Sequence, residues 1–133
     1  MGYFANYEGR IKTKCLTKDE ERKIVRDLNA EKFLDLDYLP CPPAFENFDV
    51  FVEESDEEGN KSYAFEMYGD DKYHEDDVVG FLMVVKPFVE TGEINYCGED
   101  GTHWRFIFRS GNWYEENGEV VYIENTEPVY YEE

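Results

Sequence analysis

The chain has 133 residues, 41% of them hydrophobic and 17% aromatic, with 13 Lys and Arg against 32 Asp and Glu for a net charge of −19. That length predicts a single domain over residues 1–133, and the aromatic content excludes a disordered acidic tail. No run of 18 apolar residues occurs, so no membrane span is expected.

The first predicted element is a strand over residues 3–13. Gly9 marks a bulge or bend in it, and Arg10, Lys12 and Lys14 alternate onto one face as a small basic stripe. Thr17 followed by Glu20 has capping-box spacing. The helix it starts runs to about Asn29, with Ile24, Val25 and Leu28 on one face and charges on the other. Phe33, Leu34, Leu36, Tyr38 and Leu39 are apolar anchors in an irregular connection, which Pro40, Pro42 and Pro43 keep from becoming helical.

A hairpin follows: Phe48–Glu53 alternates apolar and polar residues, Ser55–Asn60 is an acidic turn, and Ser62–Tyr68 returns. The segment His74–Pro87 is ambiguous between a buried strand and a helix. A helix is preferred, because Asp76 or Asp77 can cap it and acids suit its N-terminal dipole. Val78, Phe81, Leu82 and Val85 would form its core stripe, with Pro87 and Gly92 stopping it.

Glu93–Cys97 and His103–Arg109 are predicted strands around a Glu99-Asp100-Gly101 turn. Trp104, Phe106 and Phe108 share one face; His103, Arg105, Ile107 and Arg109 share the other. A turn at Ser110–Asn112 leads to more sheet at Trp113 and Tyr114. Asn117-Gly118 signals a further hairpin into Val120–Glu124, and residues 125–133 are expected to be a loose tail. The order β-α-β-β-α-β predicts an α+β, ferredoxin-like split βαβ sandwich with extra C-terminal antiparallel strands.

The motifs Y-x-G-E-D-G, W-R-F-x-F-R-S-G and E-E-N-G-E-V-V-Y, within the stretch ending at Tyr122, resemble those of small, largely uncharacterised acidic proteins of bacteriophages and mobile elements. A weaker echo lies in Tyr68–Asp77, so the resemblance covers about half the chain. It implies a ferredoxin-like fold and a mobile-element setting, and it carries no catalytic residues.

Chemistry is sparse. Cys15, Cys41 and Cys97 are odd in number and widely spaced, which argues against a disulfide framework and for the cytosol. The start M-G-Y-F-A-N-Y-E has no basic segment followed by an apolar one, so no signal peptide is expected, and Asn6 stands where a myristoylation motif needs Ser or Thr. Zinc sites need close Cys or His pairs; Cys97 and His103 could meet across a hairpin but supply only two ligands. The acid-rich Asp70–Asp77 segment lacks the calcium-loop pattern. Neither G-x-S-x-G nor a phosphate loop occurs. No metal, cofactor or catalytic residue is assigned, and a non-enzymatic protein is expected.

The charge is uneven: residues 1–50 hold 8 Lys/Arg and 10 Asp/Glu, whereas residues 51–133 hold 5 and 22. Such a field repels nucleic acid and membranes and steers basic proteins inward. RNA stacking on Trp104, Phe106 and Phe108 is disfavoured by that charge and by their expected place in the core. Duplex DNA carries one charge per ~1.7 Å, a density that a rigid acidic fold can imitate. The expected partner-binding residues are Glu53, Glu54, Asp56, Glu57, Glu58, Asp70, Asp71, Glu75, Asp76 and Asp77, flanking one return strand. Together with the mobile-element setting that the resemblance implies, they suggest an anti-CRISPR or anti-restriction protein that occupies a basic nucleic-acid-binding host protein without itself binding nucleic acid or membrane. The alternative is a general interaction or self-association module using Trp113, Tyr114, Tyr130 and Tyr131.

Overall fold

A computed structural model describes residues 3–28, 39 and 41–118. The elements are β1 (Phe4–Thr13), α1 (Lys18–Asp27), β2 (Asn47–Ser55), β3 (Lys61–Lys72), α2 (Glu75–Val85), β4 (Val89–Gly98), β5 (His103–Arg109) and β6 (Asn112–Gly118). The fold is α+β, with one six-stranded sheet in the order β2-β3-β1-β4-β5-β6. Every neighbouring pair is antiparallel.

Period-two alternation divides the sheet into two faces. Ala5, Tyr7 and Ile11 of β1, Tyr63, Phe65 and Met67 of β3, Ile94 and Tyr96 of β4, and Trp104 and Phe106 of β5 are buried in one cluster. Ile24 and Val25 of α1 and Val78, Phe81, Leu82 and Val85 of α2 join that cluster. The other face of the sheet carries the even-numbered residues of β1 and the residues paired with them.

Helix α1 starts as its capping box requires. The Glu20 amide donates to Thr17 Oγ1 at 3.2 Å, and the Thr17 amide donates to Glu20 Oε1 at 3.0 Å. Its inner face also holds Glu21, only 2% exposed. The Tyr63 hydroxyl donates to Glu21 Oε1 at 2.6 Å, and Lys18 Nζ lies 3.4 Å from Oε2.

The segment 78–85 is helical, and the burial of Val78, Phe81, Leu82 and Val85 follows the helical period. Its N-cap is His74, which makes no capping hydrogen bond through its side chain; Glu75, Asp76 and Asp77 occupy the first turn. The expected Asp cap is therefore corrected, although the acids keep their favourable place at the positive end of the dipole. Pro87 sits in a 3-10 turn, Lys86–Phe88, that ends the helix.

Gly92 is not the stop; it lies within β4, where a Cβ would come 2.6 Å from the Trp113 ring. Gly9 is not a bulge either. The register of β1 on β4 shifts at Lys12/Thr13, whereas Gly9 lies in a regular stretch. A Cβ there would meet Glu93 O at 2.8 Å and Ile94 Cα at 2.9 Å, so close backbone approach explains this glycine.

Strand β3 is longer than expected, twelve residues rather than seven. Gly69-Asp70-Asp71-Lys72 has poor strand propensity, but it pairs with Tyr7, Asn6, Ala5 and Phe4 of β1, and pairing overrides propensity. The β5–β6 hairpin closes through Ser110 and Gly111, at φ 49° and 81°, the two positive values that a tight hairpin turn needs. Asn117 and Gly118 are the last two residues of β6. The expected strand Val120–Glu124, the tail 125–133, Pro40, and the anchors Phe33, Leu34, Leu36 and Tyr38 lie outside the described residues. Leu39 is buried.

Candidate interaction surface

The two predicted acidic clusters lie towards opposite ends of β3, although Asp70 and Asp71 fall within the longer strand rather than beyond it. Eleven steps of about 3.3 Å separate Lys61 from Lys72, roughly 36 Å. The clusters therefore lie at opposite ends of the sheet and differ in kind.

At the β2–β3 end the carboxylates are largely engaged. Glu53 pairs with Arg10, and Glu54 Oε1 lies 3.3 Å from Lys12 Nζ. Asp56 Oδ1 accepts the amides of Glu58 at 2.9 Å and Asn60 at 2.8 Å, holding the turn. Glu57 and Glu58 are exposed on its tip. Between the ends, Glu66 is 3.3 Å from Arg10, so the basic stripe neutralises the middle of the ridge. Lys14 falls beyond β1 and lies 3.8 Å from Glu20.

The other end is built differently. Strands β3 and β4 both run antiparallel to β1, so both finish beside its first residues. The Tyr73 amide donates to Tyr3 O at 2.7 Å, and the Glu99 amide donates to Phe4 O at 2.9 Å. These bonds tie the β3–α2 junction and the β4–β5 turn to one point. Asp70, Asp71, Glu75, Asp76 and Asp77 are thereby joined by Glu99 and Asp100, all seven exposed. Across residues 69–77 and 98–103, Lys72 is the single Lys or Arg.

The turn itself is rigidly specified. Gly98 N donates to Thr102 O at 2.8 Å, Gly101 N donates to Gly98 O at 2.9 Å, and Gly101 has φ 85°. The Tyr3 hydroxyl donates to Asp100 Oδ1. That bond, with help from the Thr102 amide, lowers the Asp100 carboxyl to about 2. The carboxylate in turn raises the Tyr3 phenol. Replacing Tyr3 with Phe is expected to return Asp100 towards the ordinary Asp value of about 3.9. A carboxyl-detected NMR titration reads this; an Asp100 midpoint that stays near 2 refutes the role of the phenol.

Glu99 and Asp100 are the residues missing from the predicted set. Their signal lay in the strand order: once β3 and β4 flank β1, the turn after β4 must join the segment after β3. Taken singly, the sequence E-D-G is only a turn.

The solvent face of the sheet offers little to a phosphate backbone. Arg105 lies 3.0 Å from Glu93 and 2.7 Å from Glu116, and Arg109 also pairs with Glu116. Hydrogen bonds from Arg109 and then Arg105 lower the Glu116 carboxyl, and those to Glu116 and Glu93 raise the Arg105 guanidinium. Trp104 and Phe106 are buried and Phe108 stacks edge-on with Trp113, so the aromatic face is core. Trp113 is half-buried, Tyr114 is exposed beneath the Arg109 guanidinium, and Tyr130 and Tyr131 lie outside the described residues.

Cys97 and His103 do meet across the β4–β5 ladder, with Sγ 3.8 Å from Nε2. Among the described residues no group of three or more His, Cys, Asp or Glu side chains is placed to hold a metal ion. No helix of the described residues is long and apolar enough to cross a membrane. No family model, curated protein or solved structure matches the chain.

Proposed function

We propose that this chain is a non-enzymatic, cytoplasmic protein of a phage or mobile element that blocks a host nucleic-acid-binding defence protein, of anti-CRISPR or anti-restriction type, by imitating nucleic acid. The observation that carries this is the cation-poor end of the sheet, where Asp70, Asp71, Glu75, Asp76 and Asp77 converge with Glu99 and Asp100. Seven carboxylates on sheet, turn and helix-start backbone, with Lys72 the single Lys or Arg of residues 69–77 and 98–103, suit the Arg and Lys side chains of a groove that otherwise holds phosphates. We propose this end, rather than the ion-paired β2–β3 end, as the contact face. We further propose that the fold is the ferredoxin-like βαββαβ sandwich extended by β5 and β6. Strand β1 between β3 and β4, with β2 outside β3, supports that assignment.

The test is capture from a bacterial lysate, with salt raised in steps and duplex DNA as competitor. Basic nucleic-acid-binding proteins should be retained at low salt and released by DNA. The triple variant Asp71→Lys, Asp76→Lys, Glu99→Lys should lose at least tenfold of that retention. The pair Glu57→Lys, Glu58→Lys should lose far less. Retention that survives the triple variant sinks the proposal.

A further inference from the structure

Strand β2 forms one border of the sheet, and among the described residues it is paired on one side only, by β3. It is nine residues long and contains neither Lys nor Pro. Those residues, together with other charged side chains, short length and bulges, are the usual means of guarding an edge. Its one irregularity is the register shift between Val52 and Glu54, which leaves Asn47–Val52 regular. Large apolar side chains stand exposed on both faces of that stretch. Phe51, opposite Ala64, is 47% exposed, and Val52, opposite the core residue Tyr63, is 43% exposed. A strand laid along this edge would cover both.

The chemistry of the occupant follows from charge. The strand N-F-D-V-F-V-E-E-S carries Asp49, Glu53 and Glu54 and no cation. Antiparallel pairing with a second copy, centred on Phe51, would set Asp49 against Glu53, and both chains carry a net −19. Directly opposed like charges destabilise a strand pair, so a second copy in that register is a poor occupant, and the shared net charge disfavours the others. Glu53 and Glu54 already face Arg10 and Lys12, whereas Asp49 is exposed.

We infer that the β2 edge takes an extended segment of a partner protein as an added antiparallel strand, the segment carrying two adjacent apolar residues, then any residue, then Lys or Arg. In that register the apolar pair lies against Val52 and Phe51, and the cation lies against Asp49. Main-chain hydrogen bonds supply affinity in such strand addition, and alternate side chains supply specificity. This surface is separate from the acidic end proposed above and does not depend on it.

The probe is a synthetic peptide, Thr-Val-Tyr-Thr-Lys-Thr-Thr, titrated into the full chain and followed by amide hydrogen exchange. Amides of Asn47–Val52 should gain protection. A peptide with Glu in place of Lys, and the chain variant Phe51→Lys, should each bind at least tenfold more weakly. Phe51 is an exposed side chain, so that variant should keep the thermal midpoint of the parent. Protection confined to residues 70–77 and 98–102, or equal binding by Phe51→Lys, overturns the inference. So does a concentration-dependent dimer that already protects β2 in the free chain.

Discussion

Replacing Phe81 with Ala is expected to lower the stability of the fold by about 3–5 kcal/mol. Phe81 is 3% exposed and meets three other rings edge-on: Phe45 at 5.2 Å, Phe48 at 5.6 Å and Phe65 at 6.3 Å between centroids. These rings come from the segment before β2, from β2, and from β3. Truncation thus opens a cavity at a junction that rigid sheet backbone cannot close. Neighbouring Val79 and Met83 are 40% and 54% exposed, and Ala there should cost under about 0.5 kcal/mol. Urea unfolding of the three variants reads the difference. Comparable losses at Val79 and Phe81 would contradict the helical placement of this segment, because a strand would put residues 79, 81 and 83 on one face.

Replacing Tyr63 with Phe is expected to cost about 2–3 kcal/mol, out of proportion to the single oxygen removed. The phenol is a donor to Glu21 Oε1, and both residues are 2% exposed. Without it a buried carboxylate oxygen loses its partner, and an unsatisfied charged group is costlier than an ordinary lost hydrogen bond. Lys18 approaches the other oxygen from solvent and cannot replace it. Adding Glu21→Met to Tyr63→Phe should recover most of the loss, since apolar replacement of both members of a buried polar pair is often close to neutral. A double variant as unstable as the sum of the singles would show that the pair is not coupled.

These two sites mark what local pattern reveals and what it conceals. Phe81 was legible because Val78, Phe81, Leu82 and Val85 repeat at the helical period. The hairpin Phe48–Tyr68, the turn at Gly101 and the Trp104–Phe106 core face were legible by alternation. Glu21 was not, because its spacing from Ile24, Val25 and Leu28 puts it in the apolar stripe while its charge assigns it to solvent; its buried partner Tyr63 lies 42 residues on. The length of β3 was hidden for a similar reason, since Gly69–Lys72 is held by β1 rather than by its own preference. At the candidate surface the acids were visible as residues, but their compensation was not. Arg10 and Lys12 reach across β3 to Glu53 and Glu54, and Glu99 and Asp100 arrive from a hairpin close to 30 residues beyond Asp71.

The central place of β1 has a consequence for the chain during synthesis. Its two partners are β3 and β4, and Gly98 follows Thr13 by 85 residues. At about 5–20 residues per second, roughly 4–17 s pass between the emergence of the first strand and that of its last partner. Through that interval a strand with Ala5, Tyr7 and Ile11 on one side stays open on at least one edge, and Glu21 lacks its phenol partner until Tyr63, 50 residues after Thr13, has been made. The β2–β3 hairpin is complete before β4 is made and can pair with β1 through β3, which leaves the β4 edge of β1 open. Only the arrival of β4 encloses that strand from both sides.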